Sequence, residues 1–164
     1  RSKRPNFDVS QHFWRIAMLN VLAACLVWLV AQFSQPFGEW PGWPLLCGVL
    51  VVVGSFMSVI VGMLYKIVPF LAWLHLQNQG SGRLMAPNMK KFIAERDMKR
   101  QMLAHLVSLA LLLLAVVWPD TLAYPAGLAL LLANACLLRN LLRAVSCYRG
   151  HLAVIRATFE QQGA

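Results

Sequence analysis

Two histidines, His75 and His105, and three sulfur side chains, Cys25, Cys136 and Met57, are the groups in this 164-residue chain whose chemistry could hold a cofactor or a metal ion. Each lies in or beside a long uncharged run. A histidine on each of two neighbouring helices suggests axial ligation of heme b. Imidazole combined with soft sulfur, as in a set of His105, Cys25, Cys136 and Met57, suits copper(I). Lys66, Pro69, Trp73 and Glu95 crowd the same stretch and point to structure instead. Lys66 can snorkel to an interface or pair with Glu95 or Asp97, and Pro69 can bend a helix. Trp73 and His75 are expected to pack on the extension of the third helix. No nucleophile, phosphate loop, paired carboxylates or zinc spacing accompanies these residues. The six acidic residues, Asp8, Glu39, Glu95, Asp97, Asp120 and Glu160, fall in loops, interfaces or tails. An enzyme active site is not expected from such a set, nor proton pumping on a buried carboxylate.

The elements that must position these groups are membrane spans. The chain is 59% hydrophobic and 13% charged, and about 20 apolar residues suffice to cross the hydrocarbon core. The pattern predicts an all-α integral membrane protein, an antiparallel four-helix bundle with helices extending into the cytoplasm. The spans are expected at about 13–33, 44–66, 102–118 and 122–139, with extensions at 67–101 and 140–160. The last span is expected to take up its helix after Pro125, and the third helix to open at Pro87 or Asn88. The net charge of +9 does not indicate nucleic acid, because of where the basic residues fall. They cluster in Arg1–Arg15, Lys66–Arg100 and Arg139–Arg156, whereas 34–44 and 119–127 contain neither Lys nor Arg. By the positive-inside rule, both termini and the 77–101 connection face the cytoplasm of a bacterial inner membrane. The arginines after Leu138 suit anionic lipid headgroups. The four cysteines show no CxxC and no disulfide is expected. The chain opens on Arg1, and "RSKRP" reads as a basic connector, so a piece of a longer polypeptide is expected.

Counting depth at roughly 1.5 Å per residue separates the two histidines. His105 lies roughly 20 Å in from Trp118, level with Cys25, Met57 and Cys136 and near Asn134. Asn134 is its expected hydrogen-bond partner across a helix interface. His75 lies roughly 48 Å in from Trp43 on a straight helix, beyond the bilayer. Only a strong bend at Pro69 would bring the two imidazoles to one heme.

The string "GMLYKIVPFLAWLHLQ" (62–77), followed by "APNMKKFI" (86–93), resembles the last third of bacterial membrane proteins similar to heme–copper oxidase subunit I. In that group an earlier bundle carries a histidine pair, and a basic linker like "RSKRPNFDVSQHFWR" (1–15) follows. A Gly-Met-x-x-Lys-Ile-x-Pro-Phe-Leu-x-Trp-x-His helix then comes near the end. The resemblance covers residues 1–95 and implies association with heme or copper for the parent protein, in a non-catalytic role. His75 and His105 are the candidate ligands. The alternatives are a scaffold or accessory subunit that packs against a partner membrane protein, and a transporter module. The last would need polar groups along a path, for which Asn20, Ser55, Ser58, Ser108 and Asn134 are the candidates.

Overall fold

A computed structural model describes residues 9–79 and 93–162. Nearly all of these residues are helical, and none is in a strand. The helices are α1 (Val9–Phe33), the short α2 (Gln35–Gly38), α3 (Trp43–Val49), α4 (Ser58–Gln79), α5 (Glu95–Val117) and α6 (Pro119–Gln162). A π-helical segment, Leu50–Met57, joins α3 to α4 without a break. Four stretches are long and apolar enough to cross a membrane: Val9–Phe33, Trp43–Asn78, Glu95–Val117 and Pro119–Val154.

The most apolar window of Trp43–Asn78 is 33% buried, against 11% in α1 and in α6. The second stretch, with α5 at 28%, thus lies on the inside. α1 and α6 present rows of exposed leucines such as Leu19, Leu22, Leu26, Leu128, Leu131 and Leu138. In hydrocarbon these rows need no cover, since lipid tails are as apolar as leucine.

Two glycines fix how α1 meets the inner stretch. A Cβ at Gly62 would stand 2.9 Å from the Cβ of Phe13, and a Cβ at Gly54 would fall on the Asn20 side chain. Small residues at a crossing let helices approach closely in a membrane. The Ser10 hydroxyl donates to the carbonyl of Gly62 (3.1 Å) and tightens the same crossing. Farther along, the Cys47 thiol reaches the carbonyl of Ala24 (3.7 Å). Contacts that advance along α1 thus retreat along the second stretch.

The π segment is a feature that apolar periodicity does not announce. Bonds of the i→i+5 type widen a helix and re-aim the side chains that follow. Here the segment spans the glycine under Asn20 and ends where Ser58 begins.

The described residues fix two helix starts. The expected opening of the third helix at Pro87 or Asn88 lies outside the described residues. α5 starts only at Glu95, after an extended Ala94 (φ −69°, ψ 134°), and places Glu95 and Asp97 in its first turn. Acidic groups there oppose the helix dipole favourably. α6 begins at Pro119 rather than after Pro125, directly behind Trp118, and runs through Pro125 as one helix. Proline suits a first helical position, which Pro119 occupies. α4 likewise continues through the buried Pro69.

A hydrophobic cluster of Val9, Phe13, Val61, Tyr65, Leu76, Ile93 and Ala144 ties α1, α4 and α6 together at the charged end, with Trp73, Tyr148 and Leu152 packed against it.

Candidate functional site

α5 carries Asp97, Gln101, His105 and Ser108 at steps of four, four and three residues. That spacing puts them on one helix face. The face turns inward: Gln101 and His105 are each 1% exposed and Ser108 is fully buried. Asp97 keeps 18% of its side chain exposed at the charged end.

His105 is held from three sides. Its Nε2 shares a 2.9 Å hydrogen bond with the Ser58 hydroxyl of α4. The Phe13 ring of α1 lies against it at a centroid distance of 5.8 Å. On its own helix, the Ser108 hydroxyl donates to the His105 carbonyl (2.8 Å). Two turns nearer the charged end, the buried Asn140 of α6 donates from Nδ2 to the Tyr65 hydroxyl (3.0 Å) and to the Asp97 carbonyl (3.3 Å). Arg143, one turn farther on α6, donates to the Asp97 carboxylate at 3.1 Å, and Arg100 approaches it at 4.0 Å. Between these two layers sits Gln101. Its Oε1 and the Oδ1 of Asn140 are buried acceptors with no hydrogen-bond partner. An unmade hydrogen bond at a buried amide costs about 1–3 kcal/mol. Any partner for either atom must donate a hydrogen bond.

The histidines expected to share a heme are not brought together. His105 pairs with Ser58, and His75 lies 17 residues farther along the same helix as Ser58, roughly 26 Å at ideal rise. His75 is exposed and meets the edge of Tyr148 on α6 (ring centroids 5.7 Å). One heme ligated by both is not a fit to this geometry. The copper set is not assembled either. Phe13, not Cys25, stands opposite His105, because the Gly62 crossing sets the register of α1. Cys25 is exposed, next to the Ala24 whose carbonyl meets Cys47 near the tryptophan-rich end. Met57 directly precedes Ser58 and is half-buried, and Cys136 is half-buried one turn from Asn140. Among the described residues no group of three or more His, Cys, Asp or Glu side chains is placed to hold a metal ion.

The structural residues also find other neighbours. Glu95 pairs with Lys99 (2.7 Å), and Asp97 with Arg143 and Arg100, while Lys66 is exposed. Trp73 is half-buried near Phe70 (6.4 Å) against the core cluster, which includes Ile93 and on which Met98 and Met102 of α5 also pack, and His75 meets Tyr148 on α6. Asn134 turns back to its own helix, donating to the Leu130 carbonyl (2.8 Å), so Ser58 takes the place expected of it at His105. Gln101, Tyr65 and Asn140 were not singled out by sequence. The recurrence of polar residues at 97, 101, 105 and 108 was the signal available for Gln101, and its face points at Asn140 and Tyr65.

Beyond the charged belt, α4 and α6 enclose a groove of about 440 Å³. Val68, Leu71, Ala72, Ala144 and Val145 form its apolar walls, with His75, Asn78 and Tyr148 farther out. The chain is thus a helical protein with four candidate membrane spans, a buried polar column and an apolar groove. No family model, curated protein or solved structure matches it.

Proposed function

We propose that this chain is a four-span antiparallel helical module of the bacterial inner membrane, with both termini and the charged end on the cytoplasmic side. It acts as a scaffold that packs against a partner membrane protein or the rest of a longer chain. The resemblance of 62–77 to proteins like heme–copper oxidase subunit I fits a non-catalytic, accessory place in such an assembly. The observation that carries the reading is the groove between α4 and α6. Its outer rim, His75 against Tyr148, lies ten residues past Tyr65, roughly 15 Å along the helix. That is on the far side of the belt formed by Asp97, Arg143, Arg100 and Lys99. The apolar walls, Val68, Leu71, Ala72, Ala144 and Val145, run from the level of that belt toward the rim, where lipid tails no longer reach. Exposed apolar surface outside a bilayer marks an interaction site.

The occupant that suits the groove is a helix with one apolar face flanked by acidic side chains. Apolar anchors of a helix fill such grooves at i, i+3, i+4 spacing. Arg149, one turn past Val145, Arg143 and Lys66 would meet the acidic flanks. A photo-crosslinking residue at Leu71 or Val145 tests the reading. A single stoichiometric adduct, lost in Ala72→Arg, is the expected result. Diffuse labelling by lipid alone would overturn it. A Soret band or stoichiometric copper in the purified protein, abolished by His75→Ala or His105→Ala, would favour the cofactor reading instead.

A further inference from the structure

We propose that the buried polar column is a proton half-path that joins His105 to solvent at the charged end, with water held by the side-chain carbonyls of Gln101 and Asn140. The geometry supplies an entrance, a middle and a terminus. The entrance is Asp97, 18% exposed and bonded to Arg143. The middle is the pair of buried acceptors, Gln101 Oε1 and Asn140 Oδ1, beside the Tyr65 hydroxyl. The terminus is His105 with Ser58.

Spacing makes Gln101 the link. Asp97 and His105 are eight residues apart on α5, roughly 12 Å, and Gln101 divides that gap into two steps of roughly 6 Å each. Side chains four residues apart on a helix are neighbours, within reach of each other directly or through one water. Both orphan atoms are carbonyl oxygens, so the guest each calls for must donate a hydrogen bond. Water meets this demand, and a water making several such bonds in a polar niche is ordinary in protein interiors. Toward the tryptophan-rich end the α5 stripe stops at Ser108 and is followed by Leu109 and a run of leucines. On α5 the polar stripe therefore ends on that side.

The proton step balances simply. A proton delivered from bulk water through Asp97 and the held water adds to whichever imidazole nitrogen of His105 carries none. The imidazolium then donates from Nε2 to the Ser58 oxygen. Release reverses the path. Of the elements packed on His105, α4 contributes Ser58, α1 contributes Phe13, and α5 itself contributes Gln101 and Ser108. The titratable and charged groups farther along are Tyr65 on α4, Cys136 and Arg143 on α6, and Asp97 and Arg100 on α5. The added positive charge is met at Nε2 by the Ser58 oxygen.

The test uses the full chain in liposomes with ¹⁵N-histidine, observed by solid-state NMR. The four histidines allow His105 to be assigned by the spectrum of His105→Gln. The expected result is that the His105 ring N–H exchanges with D₂O within minutes and its nitrogens respond to bulk pH. Gln101→Leu and Asn140→Leu should slow that exchange by at least tenfold while the Ser58-bonded signal of His105 persists. Slow exchange and no pH response in the wild type would overturn the proposal. So would unchanged fast exchange in both leucine variants. Should one leucine variant fail to fold, the other carries the same comparison.

Discussion

His105 and His75 lie on adjacent helices, yet the fold treats them as opposites. His105 is locked, 1% exposed, between Ser58, Phe13 and its own helix. His75 is exposed at the rim of a groove, edge-on to Tyr148. Around His105, α1, α4 and α5 each contribute one short-range restraint, and the partners are small or aromatic. Around His75 the neighbours are apolar side chains on two helices that leave space between them. The contrast separates two uses of the same side chain. One histidine is part of what holds the helices in register. The other decorates a surface that can accept something else.

The largest effects should follow from attacking the locked region. Gly62→Leu drives a branched side chain into Phe13, whose Cβ would be 2.9 Å from the new Cβ. Overpacking of that kind costs about 1–3 kcal/mol, and here it also pries Phe13 from His105. His105→Ala removes a buried ring and should cost about 2–4 kcal/mol. Ser58→Ala leaves the ring in place and removes its partner. Hydrogen bonds between membrane helices are worth about 0.6 kcal/mol on average and up to about 1.7, so a loss of about 1 kcal/mol is expected. Unfolding in mixed micelles, followed by circular dichroism, ranks the variants. A Ser58→Ala loss as large as that of His105→Ala would mean the hydrogen bond, rather than packing, dominates the region.

How much of this contrast could be read from the residues depends on which helix is asked. The separation of His75 from His105 was legible, because rise counting works where two helices keep their ideal rise from a marked end. Ser58 directly follows Met57, the residue that counting placed level with His105. The register of α1 was not legible in that way. Its level is set by close approach at Gly54 and Gly62, not by where its apolar run ends, and so Phe13 occupies the place assigned to Cys25. The π segment was hidden because it keeps the same apolar composition as the α-helix around it. Asn140 was concealed among arginines that read as a solvated tail. Only in the folded chain does it point inward to Tyr65 and Asp97.

An intermediate case sharpens the comparison. Asn140 makes two hydrogen bonds but leaves an acceptor unused. Asn140→Leu removes the orphan oxygen along with the bonds. Removing one partner of a buried hydrogen bond leaves the other unsatisfied at a cost of about 1–3 kcal/mol, and loss of the orphan oxygen offsets part of it, so a loss of about 1 kcal/mol is expected. Asn140→Asp keeps the shape and adds a carboxyl group at a buried position, where an unpaired charge is costly. It should destabilise more than Asn140→Leu in the same unfolding measurement. Unchanged stability in Asn140→Leu would show that the orphan offsets the two bonds in full.

The smallest effect belongs to the other histidine. His75→Ala removes an exposed ring that meets the edge of Tyr148, with no buried partner such as Ser58. Surface substitutions away from caps, cores and networks usually stay within about 0.5 kcal/mol. The same small change is expected here, in the same micelles, even though the substitution lies 17 residues from Ser58 on one continuous helix. Its consequence should appear in docking instead, as weaker crosslinking from Val145 with stability unchanged. If His75→Ala destabilised the chain as much as Ser58→Ala, the groove rim would belong to the packed core. The distinction between a locking histidine and a docking histidine would then fail. A silent unfolding curve with weakened crosslinking is the outcome that assigns stability to one imidazole and recognition to the other.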